Sequence, residues 1–284
     1  LASTRDIRRR IKSIKSTQQI TKAMKMVSAA KLRRAQSSVM AARPYSDELG
    51  TILAHLRKGN VDHPFLQARE VKKVCYVVFA GERGLCGGFN SNIFRRAETE
   101  VEKAGHPHAV VAVGRKTRDY FRRRRHEIVM EFTNVGDNPS FSQAKELAQR
   151  LSALYVDGTF DEIHLIYSEF KSALTQTPVR KQLLPVPAHV EDPDEPADST
   201  EYIFEPDETA LVKALLPRYV DVTVYRSMLE AKASEHGARM TAMSAATDNA
   251  LEIIDRLTLS LNRARQAAIT KEISEIVGGA AALS

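Results

Sequence analysis

The chain has few of the features that mark enzymes, membrane spans or disulfide scaffolds. It has only two cysteines in 284 residues, Cys75 and Cys86, with no CxxC and no histidine cluster beside them. That pattern predicts free thiols in a reducing compartment, neither a disulfide framework nor a zinc site. No run of 18 apolar residues occurs, so no helical span of a bilayer is expected, and no signal peptide is visible. The eight histidines are scattered without metal-ligand spacing, and no carboxylate pair stands out. Ser234, Glu235 and His236 lack the strand–turn–helix setting of a nucleophile elbow. Nothing in the residues alone argues for a catalytic site.

Helix breakers are missing where their absence says most. After Pro217 no proline follows, and Gly237 is the only glycine before Gly278. Residues 218–284 therefore read as one long helix. Within it Met240, Met243, Thr247, Ala250, Ile254, Leu257, Leu261, Ala264 and Ala268 step alternately by three and four. A 3.5-residue repeat of this kind is the seam of a left-handed coiled coil. Three alanines in it allow close approach of a partner but bury less area than leucines.

Residues 3–56 supply the partner. Ser3 or Thr4 can cap this second helix, and Ile7, Ile11, Ile14, Ile20, Met24 and Val27 form its expected apolar stripe. Pro44 is expected to kink or break it. At ~1.5 Å per residue these helices run to ~80 Å and, for 208–282, ~110 Å. Neither fits inside a compact domain, so they are expected to pair antiparallel around an inserted middle domain. Pairing near i + j = 265 would bring Met24 close to 239–243 and leave 265–284 as a single-helix overhang. The first 58 residues hold 14 Lys/Arg against 3 Asp/Glu, while the remainder holds 28 against 32. A one-signed helix face of this kind predicts an acidic partner.

Between the helices, strand and helix patterns alternate: strands at 74–80, 109–113, 127–132, 163–168 and 178–186, helices at 92–103, 116–124 and 140–155 with Ser140 as cap. The prolines of the fifth strand place it at an edge. Alternation of this kind predicts a largely parallel α/β layer. The acidic, proline-containing 191–201 reads as a loop, Pro206 as a first-turn proline, and Pro217 as a bend. The fold expected is thus a long antiparallel helical coiled coil (1–58 with 206–284) carrying an inserted Rossmann-like α/β domain (59–205). Gly81, Gly84, Gly87 and Gly88 follow a strand and precede a helix, where backbone amides could cradle a phosphate. They match neither GxGxxG nor a Walker A ending, so a tight turn with close helix–strand packing is the simpler reading.

Three stretches together carry a resemblance. IRRRIKSIKSTQQITKAMKMVSAAKLRRAQ at the start, GERGLCGGFN in the middle, and HGARMTAMSAATDNALEIIDRLTLSLNRARQAAITKEISEIVGGAAAL at the end are similar to the gamma-subunit family of bacterial F-type ATP synthases. ITKEISEIVGGAA is the most diagnostic segment. Where that family usually has Asp-Arg-Gly, this chain has Glu82, Arg83 and Gly84, and the cysteine-bearing insertion of the chloroplast form is absent. The resemblance implies a non-catalytic rotor shaft without a cofactor. One copy would stand in the bore of a hexamer of alpha and beta subunits, its foot on the membrane c-ring, with an epsilon subunit docked on the α/β domain. It further implies a peripheral place on the cytoplasmic side of the cell membrane, without bilayer insertion.

Carried over by position, Arg265 and Gln266 (in NRARQ), Thr270, Glu272, Arg239 (in GARM), Met24 and Lys25 are expected to meet catalytic-subunit loops. Tyr202 and Glu205 (in EYIFEPD) are expected near the membrane ring. Two other readings compete: a basic coiled-coil scaffold for nucleic acid or anionic membrane, and a nucleotide-binding enzyme using the 81–88 loop.

Overall fold

A computed structural model describes residues 3–56, 62–187 and 207–282. In chain order the elements are α1 (Thr4–Leu56), a 3₁₀ turn (Pro64–Leu66), β1 (Val74–Phe79), α2 (Phe89–Ala104), β2 (His108–Val113), α3 (Arg115–Arg123), β3 (Ile128–Phe132), α4 (Phe141–Val156), β4 (Glu162–Phe170), β5 (Gln176–Leu184) and α5 (Glu208–Ala282). The chain divides into two compact units, 29–239 and a second made of 1–28 with 240–284. Both boundaries fall inside the long helices, whereas the sequence suggests boundaries at the helix ends.

The larger unit is built on a five-stranded sheet of order β3-β2-β1-β4-β5. β1 pairs in parallel with β2 and β4, β2 in parallel with β3, and β4 antiparallel with β5. β5, with Pro178, is an edge strand, where a missing N–H does little harm. The steps β1→β2→β3 move one way along the sheet and β3→β4 moves back past β1. Right-handed crossovers therefore put α2 and α3 on one face and α4 on the other. Alternate residues of β1 confirm the division. Val74, Tyr76 and Val78 pack with Phe89, Ile93 and Phe94 of α2 and Phe121 of α3. Cys75, Val77 and Phe79 share the opposite cluster with Leu147, Leu151 and Tyr155 of α4. That second cluster also takes Leu49 and Leu53 from α1 and Val220, Val224 and Met228 from α5.

Two prolines lie inside the long helices. Neither α1 at Pro44 nor α5 at Pro217 is broken. Both prolines are exposed, so the carbonyl each leaves without a helical donor lies on the solvent side. Ser140 caps α4 as expected and completes a capping box with Gln143.

In the smaller unit, burial along α5 steps by three and four as far as Ala264, and Ala268, the last position expected in that series, is exposed. Met243, Thr247, Ala250 and Ile254 are buried, Leu257, Leu261 and Ala264 half-buried, and residues 265–278 exposed. Thr247 donates to Thr21 (2.9 Å) and Lys25 to Ser244 (2.9 Å), so these stretches run in opposite directions. The pairing lies three to four residues beyond the register expected from length. The stripe on α1 needs correction. Ile20 and Val27 are more than half exposed, and the inward positions are Ile7, Ile11, Ile14, Gln18, Thr21, Met24 and Ser28. The same three-four stepping returns in the larger unit as Leu32, Ala35, Val39, Ser46, Leu49 and Leu53. Polar residues at 18, 21, 28 and 46 hide this repeat from a hydrophobicity reading.

Candidate functional site

In sheets of this order, ligands bind in the crevice beyond the carboxyl ends of the strands where the crossovers change direction, here between β1 and β4. This chain fills that crevice with its own residues. The turn after β1 is tied by Gly81 N–H donating to Asn90 (2.9 Å) and by Lys116 N–H donating to the Gly81 carbonyl (3.1 Å). Gly114, at φ +96°, must be glycine, because a Cβ there would collide with the Ala80 carbonyl. The Glu82 carboxylate occupies the N-terminus of α3. It accepts from the backbone N–H (3.3 Å) and side chain (2.9 Å) of Arg115, and from Val135 N–H (3.3 Å). A negative side chain thus takes the place where a phosphate would bind a helix N-terminus.

Helix α5 closes the rest. Residues 227–237 are buried throughout although they include Glu230, Lys232, Glu235 and His236. Glu235 accepts from Arg239 (2.6 Å) and Lys232 (3.1 Å). Burial disfavours its charge, but Lys232 and Arg239 outweigh it and hold the carboxyl below its usual range. Arg239 also reaches the Gly84 carbonyl (3.4 Å). The space left between Phe79, Val113, Val135, Lys232 and Glu235 is about 20 Å³, room for one water. Burial lowers the His236 pKa more than Glu235 and Asp137 raise it. Asp137 in turn bonds Lys31 (2.7 Å). Burial pushes the Cys75 thiol up to about 12 and the Cys86 thiol upward as well, so neither is poised as a nucleophile. No group of His, Cys, Asp and Glu among the described residues has the geometry of a metal site.

The residues expected to meet partner subunits fall into different settings. Arg265, Gln266, Thr270 and Glu272 are exposed. Helical spacing sorts them into two neighbouring stripes, Arg265–Ile269–Glu272–Ile276 and Gln266–Thr270–Ile273–Val277. Each stripe mixes polar and apolar side chains, and all four apolar members are large and solvent-facing. Lys25 is exposed and bonded to Ser244, while Met24 is half-buried. Arg239 differs: its side chain is only 12% exposed and its guanidinium is engaged by Glu235. Tyr202 and Glu205 lie outside the described residues. The buried charges of α5 escape sequence reasoning. Their signal is the complementary spacing of Arg226 with Glu230 and of Lys232, Glu235 and Arg239, which suits an exposed helix equally well.

Comparison with known proteins gives one answer along the whole chain. The family model for ATP synthase matches residues 3–283. The ATP synthase gamma chain of Desulforamulus reducens is 59% identical over 285 residues, covering all of both chains. Those of Desulfitobacterium hafniense and Moorella thermoacetica are each 54% identical, again over both full lengths. The fold is similar to a rotor chain of the Euglena gracilis mitochondrial ATP synthase solved by cryo-EM, with a TM-score of 0.68 at 19% identity, covering 94% of this chain and 98% of that one. It is also similar to a chain of the central stalk and c-ring of the Tetrahymena thermophila enzyme, with a TM-score of 0.62 at 24% identity over 80% of this chain. Taken over their full length, these matches make the chain a member of the ATP synthase gamma chain family.

Proposed function

We infer that this chain is the central-stalk rotor subunit of an F-type ATP synthase, a non-catalytic part that couples ion flow through a membrane ring to ATP synthesis or hydrolysis on partner subunits. The observation that carries this reading beyond family membership is a contrast in surface. The crevice where an α/β enzyme would hold substrate is filled by Glu82 and α5, while the end of α5 presents two mixed stripes that none of the described residues covers. Among the described residues the surface offered to a partner is the end of α5, and the crevice typical of an α/β enzyme is occupied.

The finer reading is as follows. Residues 1–28 and 240–284 form an antiparallel coiled coil standing among alpha and beta subunits, and the sheet is a Rossmann-like foot resting on the c-ring, with an epsilon subunit beside it. Arg265, Gln266, Thr270, Glu272, Met24 and Lys25 meet catalytic-subunit loops. Arg239 contributes there only through the part of its guanidinium that Glu235 leaves free. Tyr202 and Glu205 face the ring. One copy serves each complex, on the cytoplasmic side of the cell membrane. None of the described helices is long and apolar enough to cross that membrane.

Co-expression with candidate alpha and beta subunits tests the reading. One copy of this chain should co-purify with three of each, and ATPase activity should reside in the complex. Recovery of the chain free of them, or bound to DNA or anionic vesicles with a steep salt dependence, would favour the basic-scaffold alternative; none of the likenesses found supports that alternative.

A further inference from the structure

One side chain in the larger unit joins three elements. Arg43, on α1, donates through Nη2 to the Phe170 carbonyl at the end of β4 (2.8 Å) and lies 3.5 Å from Glu230 Oε1 on α5. Glu230 is 1% exposed. The same oxygen takes Arg226 Nε (3.2 Å), and Arg226 turns back to α1, bonding Ser46 (3.3 Å) and Asp47. Nearby, Ser234 on α5 donates to the Ser168 carbonyl of β4 (2.9 Å), and Gly237 admits the Ala173 carbonyl of the β4–β5 turn at a distance only a glycine fits comfortably. Apolar packing between helices and sheet resists separation but has little direction. These bonds are directional, so turning or sliding a helix against the sheet would break them together. Among the described residues the Nε of Arg43 and Oε2 of Glu230 are buried without a partner, a cost that apolar packing at the same place would avoid.

We propose that Arg43, bridging Phe170 and Glu230, is the pin that fixes both long helices to the sheet, so that turning force on the helices reaches the α/β layer. It is a positioning residue for coupling, with no part in ATP chemistry. The proposal rests on the central-stalk reading above.

The test uses the assembled ATP synthase in inverted membrane vesicles, with Arg43→Met and Arg43→Lys. Arg43→Met should leave ATP hydrolysis by the detached catalytic sector within about twofold of wild type, while ATP-driven ion uptake per ATP hydrolysed falls about threefold or more. Arg43→Lys keeps the charge but loses the planar guanidinium that aims Nη2 at both acceptors, and should lie between. A second arm separates a lost pin from a damaged fold. Lys31 and Asp137, bonded on the surface between α1 and the β3–α4 loop, become cysteines in the Arg43→Met background and are joined by a short bis-maleimide. The native thiols are buried and out of its reach. Joining should restore uptake per ATP. Wild-type uptake per ATP in Arg43→Met, or no recovery after joining, overturns the pin. Failure of the chain to co-purify with the catalytic subunits overturns the central-stalk reading instead.

Discussion

Gly114 and Glu82 show how single residues set what the sheet can do. Replacing Gly114 with alanine places a Cβ against the Ala80 carbonyl at a φ that side chains rarely adopt, and should lower the stability of the chain by about 2 kcal/mol, read as a shift in urea midpoint. Titration adds a second expectation at this scale. Burial lowers the pKa of His164 against its bond to Glu162, and that of His236 against Glu235 and Asp137. The fold favours the neutral ring of both more than the unfolded chain does, where histidine protonates near pH 6.5. Their contribution is therefore complete above about pH 6.5 and declines as the pH falls from there toward their folded-state values. The chain should melt several degrees lower at pH 5.5 than at 7.5, and His164→Gln should flatten that difference. Equal melting temperatures at the two pH values would contradict it.

Among the elements, the strands and short helices are legible because each carries its own local signal. VCYVVF is a continuous apolar run that only a strand buried on both faces needs, and Ser140 with Gln143 spells a capping box. The helix seam is less legible. Ile20 and Val27 attract attention as hydrophobes, yet Thr21 and Ser28 take the inward positions. The reason is the hydroxyl pair: Thr247 donates to Thr21 and Thr21 donates to the Gln18 carbonyl, so polar groups sit in the seam fully bonded. Thr21→Val alone should destabilise by about 1 kcal/mol, whereas Thr21→Val with Thr247→Val should cost less than the two single changes together. A chemical-denaturation double-mutant cycle measures this. If the exposed end of α5 meets catalytic subunits as proposed, its grip is shared among many exposed side chains, each ion pair worth about 0–1 kcal/mol. Arg265→Ala or Gln266→Ala should then reduce coupled ATPase by a limited factor and leave rotation observable, and removing residues after 276 should still permit assembly with measurable turnover.

For the molecule as a whole, charge and burial divide the work. Of the 14 basic and 3 acidic residues in the first 58, 12 and 3 lie on α1, and Arg8 and Arg10 stand exposed there. Reversing both to glutamate should slow assembly with catalytic subunits at low salt and matter less at high salt, because screened charges steer weakly. Stopped-flow association at two ionic strengths would show it. The buried charges of residues 226–239 were not legible at any scale below this one. Whether Glu230 faces water or a sheet depends on elements that precede it by more than 40 residues in the chain, and no local pattern encodes that.

The crevice filled by α5 also has a consequence during synthesis. The ribosome completes all five strands before residues 228–239 exist, so Phe79, Val113 and Val135 emerge without their final cover. Nascent chains stalled shortly after residue 187 should accordingly recruit a chaperone that chains stalled well beyond 239 release.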